Sequence, residues 1–200
     1  MPRPRKASDA EVMAATHRVM RQVGPAQVTL GRIAAEAGVT AGALVQRFGS
    51  KRGLMLALMA EFSASAPAFF AQLRAAHPSP LAALRAYADC QAQMADSPAT
   101  LAHHLGYLQI DLTDPNFHAH LSAQARDTRG ELRRLIADAV AARELAADTD
   151  VDRLTRAVQA ALSGSLFVWA TLREGSAAEW VRGDLDAVLA PYLAGGTAPS

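Results

Sequence analysis

Two groups of residues in this chain have the types and spacing to do chemistry. One lies in the middle, where four of the six histidines fall between His103 and His120, interleaved with Tyr107, Gln109, Asp111 and Phe117. Apolar walls with a few convergent polar groups suit an organic molecule, whereas imidazoles also suit a metal ion. Pairing His103 or His104 with His118 or His120 follows no specific ligand spacing. Adjacent histidines on a helix point about 100° apart, so His103 and His104 do not share an ion and no metal is assigned. The bland reading of the cluster is a helix junction with solvent-facing histidines. A nucleophile elbow, a glycine-rich phosphate loop after a strand and an HExxH pair are all lacking, so no catalytic residue and no cofactor is assigned, and the chain reads as no enzyme. The alternative is a small helical ligand-binding protein or enzyme that uses the His103 to His120 cluster without binding DNA. Asp111 and Asp114 flank a helix start and read as caps.

The other group lies at the start. Residues 1–55 hold nine Lys or Arg against three Asp or Glu, net +6, while the remainder holds eleven against sixteen, net −5. The overall +1 therefore conceals a cationic head, which counterion release draws to phosphates, and an acidic body, which it does not. Arg3, Arg5 and Lys6, interrupted by Pro2 and Pro4, form an extended arm of the kind that reaches a minor groove or simply stays solvated. Lys51 and Arg52 open a helix, where the macrodipole disfavours cations by about 0.3 to 1 kcal/mol each. A phosphate at that helix end would reverse the sign.

The elements that must position these cations lie between Val28 and Leu58. Thr29 caps a short helix with Ile33, Ala34 and Ala37 on its apolar face. Gly38 supplies a left-handed stop, and Thr40 caps a second short helix through Phe48. Helix, glycine-containing turn and helix make the outline of a DNA-binding helix-turn-helix, whose second helix enters the major groove by its N-terminal end, here Thr40, Ala41, Gly42 and Ala43. Gln46 and Arg47 are its long polar side chains, able to reach a base edge or a phosphate. Upstream, Ser8 and Glu11 form a capping box for a helix carrying Val12, Ala15, Val19 and Val23, ended by Gly24 and Pro25.

The run GVTAGALVQRFGSKRGL resembles the head of the tetracycline-repressor (TetR) family of bacterial transcription regulators. It has the glycine-centred turn, the small-residue helix start, a Phe closing the recognition helix and Ser-Lys opening the next helix. The chain departs from that family where a Tyr and often a His are usual, carrying Val45 and Arg47. Val45 offers no hydroxyl to a phosphate, which leaves Gln46 or Arg47 for that contact.

Every segment after Leu54 reads helical and none reads as strand. Ser79-Pro80, Ser97-Pro98, Asp114-Pro115 and Thr149-Asp150 each open a helix, the third running to about Leu145, and Ser176 with Glu179 forms a second capping box. The expectation is an all-α chain of about nine helices, the number the resemblance implies, with a DNA-binding head over 1–54 and a ligand-binding and dimerisation body over 55–200. Half the residues are hydrophobic, enough for a real core. The most apolar stretch, Ala160 to Leu172, is too short to span a bilayer and no apolar run follows the basic start, so neither a membrane nor export is expected. The lone Cys90 excludes an intrachain disulfide and fits a cytoplasmic location.

The last two helices are the expected homodimer contact. Ala161, Gly164, Ser165 and Val168 lie on the first; Trp180, Val181, Leu185, Val188, Leu189 and Tyr192 lie on or just after the second. Two such helices from each chain make a four-helix bundle, which is how the family dimerises. The body's candidate effector-binding residues are Phe62, Tyr87, Met94, His103, Tyr107, Phe117 and Trp169. The resemblance implies a transcriptional regulator, most often a repressor, that leaves a palindromic double-stranded DNA operator when a small-molecule effector binds.

Overall fold

The computed structural model describes residues 7–95 and 97–194, and all its regular secondary structure is helical. Ten α-helices follow one another: α1 Asp9–Gln22, α2 Gly24–Gln27, α3 Leu30–Ala37, α4 Ala41–Phe48, α5 Lys51–Ala76, α6 Pro80–Gln93, α7 Pro98–Thr113, α8 Pro115–Ala141, α9 Val151–Leu172 and α10 Ala177–Leu189. A 3-10 turn, Ala190–Tyr192, closes the series.

Local chemistry starts and stops them. Ser8 accepts from the Glu11 N–H and the Glu11 carboxylate accepts from the Ser8 N–H at 2.8 Å, satisfying two orphan donors of α1 at once. Ser176 and Glu179 repeat the device at α10. Thr29, Thr40, Ser79 and Asp150 each accept from the N–H three residues on. Gly38 takes the left-handed conformation, φ 68°, that ends α3.

Two boundaries differ from the sequence reading. Gly24 and Pro25 do not merely end α1; they start the four-residue α2, because a proline in the first helical turn has no N–H to leave unsatisfied. The apolar repeat through Leu145 outlasts its helix. α8 stops at Ala141, Arg143 turns left-handed at φ 58°, and Leu145 pairs instead with Leu193 in an isolated bridge.

The chain forms two compact units, Met1–Ala64 with Ala102–Ala123 and Ser65–Leu101 with Gln124–Ser200. The first unit thus holds, besides the helix-turn-helix, most of α7 and the start of α8. In the first unit Val12, Val19, Ile33, Leu44, Leu54 and Leu58 make a core with Tyr107 and Phe117. In the second, α6, α8, α9 and α10 enclose Leu84, Leu132, Ile136, Leu154, Val158 and Leu185. There the buried carboxylate of Glu131 is held by Arg74 at 2.7 Å and by Arg134.

By length and apolarity α5 could cross a bilayer, with mean hydropathy 1.5 over 18 residues, a feature the sequence reading overlooked in favour of Ala160 to Leu172. The helix has another use. Leu54 and Leu58 fill the core of the first unit and Phe70 and Leu73 that of the second.

Candidate nucleic-acid interface

The helix-turn-helix is α3 and α4. The Thr29 hydroxyl accepts from the Arg32 N–H at 3.2 Å and the Thr40 hydroxyl from the Ala43 N–H at 3.1 Å, so both threonines are caps in this structure. Leu44 is fully buried and anchors α4 on the core, while Ala41, Gly42, Val45 and Gln46 face solvent and Ala43 is half-buried. An ion pair of Arg18 with Glu36, 2.6 Å, joins α1 to α3. Arg3, Arg5 and Lys6 lie outside the described residues.

Two cations expected to be available have partners within the protein. Arg47 is exposed but engaged within the protein: its guanidinium donates to the Ala7 carbonyl at 2.7 Å, pairs with Asp9 and lies 5.5 Å from the centre of the Phe48 ring. Arg47 was expected to reach a base edge or a phosphate; in this structure its side chain is engaged by Ala7 and Asp9. The anomaly at the start of α5 also resolves internally. The Lys51 ammonium donates to the carbonyls of Pro25 and Val28 at 3.2 and 2.8 Å, next to the end of α2, where a cation is favourable.

Arg52 grips Asp114 with two bonds of 2.7 Å and lies 5.2 Å from the Phe117 ring centre. Asp114 is at the same time the cap of α8, accepting from the Asn116 N–H at 2.9 Å, as its reading as a cap requires. Asp111 is no cap; it lies inside α7, and burial raises its carboxyl above the usual range. The turn from α4 to α5 depends on Gly53, where a Cβ would come within 2.1 Å of the Phe48 carbonyl oxygen. Sequence reading missed this Arg52–Asp114 clamp, since its partners lie 62 residues apart.

The hydrogen bond from Arg52 holds the Asp114 carboxyl below the ordinary carboxylate range. A depressed folded pKa gives stability that is complete above the unfolded value and lost as pH falls through the folded one. Asp114→Asn should therefore lower the melting temperature at neutral pH. The gap between variant and wild type should close as the pH falls from about 5 to below about 3. A gap independent of pH would show that the carboxylate charge is not what the clamp uses.

The histidine cluster is dispersed. The His103 ring nitrogen Nδ1 bonds the Arg21 carbonyl at 3.0 Å, and the ring abuts Gly24, where a Cβ would come within 2.9 Å of it. His118 contacts Ser122 at 3.5 Å. Among the described residues no three His, Cys, Asp or Glu side chains converge as a metal site.

The candidate effector residues divide between the units. Phe62, His103, Tyr107 and Phe117 lie in the first, and Tyr87, Met94 and Trp169 in the second. Phe62 is exposed and lies 5.6 Å from the His17 ring, while Phe117 is buried. The Tyr107 hydroxyl is buried without a hydrogen-bond partner, and burial pushes its pKa up. Tyr87 packs 5.0 Å from Phe70, and burial raises its phenol to about 12. Met94 is exposed. Trp169 donates to the Gly175 carbonyl at 3.2 Å and lines a cleft of about 390 Å³ with Asp89, Gln93, Ser176 and Arg182.

Of the candidate dimer residues, Val181, Leu185 and Leu189 are fully buried in the core of their own unit. They have no surface left for a partner, which corrects their placement on the contact stripe. Ser165 is buried too, its hydroxyl donating to Asp184 on α10 and to the Ala161 carbonyl, both at 2.6 Å. Ala161, Trp180, Val188 and Tyr192 are half-buried, with the Trp180 indole donating to the Glu174 carbonyl at 2.7 Å. Gly164 and Val168 are exposed, together with Phe167 and Leu172, which the sequence reading did not select.

Residues 12–58 match the family model described as bacterial regulatory proteins, tetR family, and residues 107–185 match that of the tetracyclin repressor-like C-terminal domain. No curated protein matches the chain significantly. Among solved structures, the chain resembles a TetR transcription regulator from Haloarcula marismortui, with TM-score 0.74, 20% identity, and 92% of this chain and 97% of that one covered. It also resembles SmeT, the repressor of the Stenotrophomonas maltophilia multidrug efflux pump SmeDEF, with TM-score 0.66, 21% identity, and coverage of 98% and 97%. A third is the ketosteroid transcriptional regulator KstR2 of Mycobacterium tuberculosis, with TM-score 0.58, 18% identity, and coverage of 95% and 97%. At these identities the likeness to solved structures concerns the fold.

Proposed function

The chain belongs to the TetR family of DNA-binding transcription regulators, and we propose that it is a cytoplasmic, dimeric repressor released from a palindromic operator by a small organic effector. The observation that carries this reading is the head itself, a capped helix-turn-helix whose α4 turns a small, exposed face to solvent while Leu44 locks its other side. One α4 reads too few bases alone. Two heads about one DNA turn apart read two symmetric half-sites.

The homodimer contact we propose is the exposed side of α9 around Gly164, Phe167, Val168 and Leu172, with the half-buried Ala161, Trp180, Val188 and Tyr192 beside it. The effector class follows the apolar, aromatic character of Tyr87, Met94 and Trp169 in the second unit, and SmeT, by its description, represses a multidrug efflux pump. Release requires the effector to bind the DNA-free arrangement more tightly than the DNA-bound one, because only differential affinity shifts a population. Phosphate contacts are assigned to Arg3, Arg5 and Lys6, in the cationic head.

Selection of bound sites from a random duplex pool tests the reading. A palindromic motif should be enriched, and its affinity should fall steeply with salt as counterions are released. A pool with no enriched motif, or binding indifferent to salt, would overturn it.

A further inference from the structure

Four features of α4 bear on what it reads. Taking about 100° per residue, Ala41, Gly42, Val45 and Gln46 occupy one arc of the helix, and Arg47 lies on the opposite side. There Arg47 is committed to Ala7 and Asp9. Val45 is 46% exposed, an unusual placement for a β-branched apolar side chain at the centre of so short a helix. Gln46 is exposed and makes no hydrogen bond among the described residues. Gly42 is not required by the protein's own packing, since a Cβ there would meet only the Thr40 hydroxyl, 3.9 Å away. A helix glycine without an internal reason lowers stability relative to alanine, and close approach of the backbone to another surface is the reason that remains.

From this face we infer that each operator half-site is read at A·T pairs, with Val45 packing against a thymine 5-methyl group and Gln46 hydrogen-bonding an adjacent adenine. The inference rests on the DNA-binding reading above and adds which bases are read and by what. In the major groove the thymine methyl is the apolar feature that distinguishes one base from the other three, and valine has no hydrogen-bonding group with which to read anything else. Adenine presents N7 and N6–H₂, an acceptor and a donor that match a glutamine amide. Guanine is read most often by a bidentate arginine or lysine, and the one arginine of α4 is turned away. The small side chains at 41 and 42 let the helix sit close enough for a short valine to touch the groove floor.

The test uses the full-length protein and the duplex enriched by selection. Each thymine is replaced singly by uracil, which deletes the methyl group and keeps the base pair. One thymine per half-site should respond, with affinity falling about four-fold for one methyl group and about 15-fold when both half-sites are changed. Val45→Ala should bind thymine and uracil duplexes equally. Gln46→Ala should lose at least about five-fold of the preference for the adjacent A·T pair over G·C. Arg47→Ala should weaken all duplexes alike, because it loosens the head rather than a base contact.

Uracil replacement without effect at every position would overturn the inference while leaving DNA binding intact. So would a Val45→Ala variant that keeps the full thymine preference, or an Arg47→Ala variant that loses preference at a guanine. Failure to select any duplex would be the separate failure of the DNA-binding reading.

Discussion

A Leu189→Arg variant is expected to lose the folded second unit, melting at least about 10 °C below the wild type, instead of separating into folded monomers. Leu189 is fully buried, as are Leu185 and Val181, one and two turns before it on α10. They pack with residues of the same unit such as Leu84, Leu154 and Val158. An arginine there would place an unpaired charge in an apolar core at a cost of about 3 to 5 kcal/mol, a large part of the roughly 5 to 15 kcal/mol that holds a domain folded. Circular dichroism during heating reads the loss directly. A variant that stayed helical to the wild-type temperature and sedimented as a monomer would show Leu189 facing a partner after all.

The Leu189 case marks where sequence reading stops. An amphipathic helix announces one apolar stripe through its 3.6-residue period, and the stripe of α10 was legible. What covers it was not, because the pattern is the same whether the cover is the chain's own α6 and α9 or a second copy. On α9 Gly164 and Val168 were selected, but their exposed neighbours Phe167 and Leu172 were harder to see for the complementary reason: they stand beside buried Leu162, Ser165 and Trp169 in a helix apolar over much of its circumference.

Caps were legible almost completely, because a cap is settled within four residues. Ser8 with Glu11, Thr29, Gly38, Thr40, Ser79 and Ser176 with Glu179 all perform as their local chemistry requires. The helix-turn-helix followed from three of them. The fates of charged side chains were not legible by the same logic. Arg47 finds Asp9 38 residues away, Arg52 finds Asp114 62 away, and Lys51 finds Val28 23 away. A cation at a helix start looks unfavourable until its tertiary partner is known, and Lys51 and Arg52 each have one. The histidines failed alike: proximity in sequence between His103 and His120 spans the junction of α7 and α8, and His103 is spent on the Arg21 carbonyl.

A Phe167→Asp variant is expected to give the opposite result to Leu189→Arg, a folded monomer whose operator affinity falls by at least about 10²-fold. Phe167 is 59% exposed and Leu172 50%, so an aspartate at 167 disturbs little of the chain's own packing and its cost to the isolated fold should stay within about 0.5 kcal/mol. Large aromatic side chains left in water on a helix face mark a contact surface. Around Gly164 an added Cβ meets no atom within 4 Å, which leaves the backbone of α9 open to close approach by another helix. If two copies pack on this face, the aspartate of each would lie in an apolar contact, desolvated and next to its like-charged mate, and association should fail. Operator binding then falls because the second head no longer engages as an intramolecular event, although each α4 remains intact. Sedimentation, circular dichroism and operator titration on the same sample separate the outcomes. Unchanged helicity with monomeric sedimentation and weakened binding supports the contact. A Phe167→Asp protein that stays dimeric and keeps its operator affinity would place the interface on another face, and Gly164→Arg, also exposed, should then be equally silent.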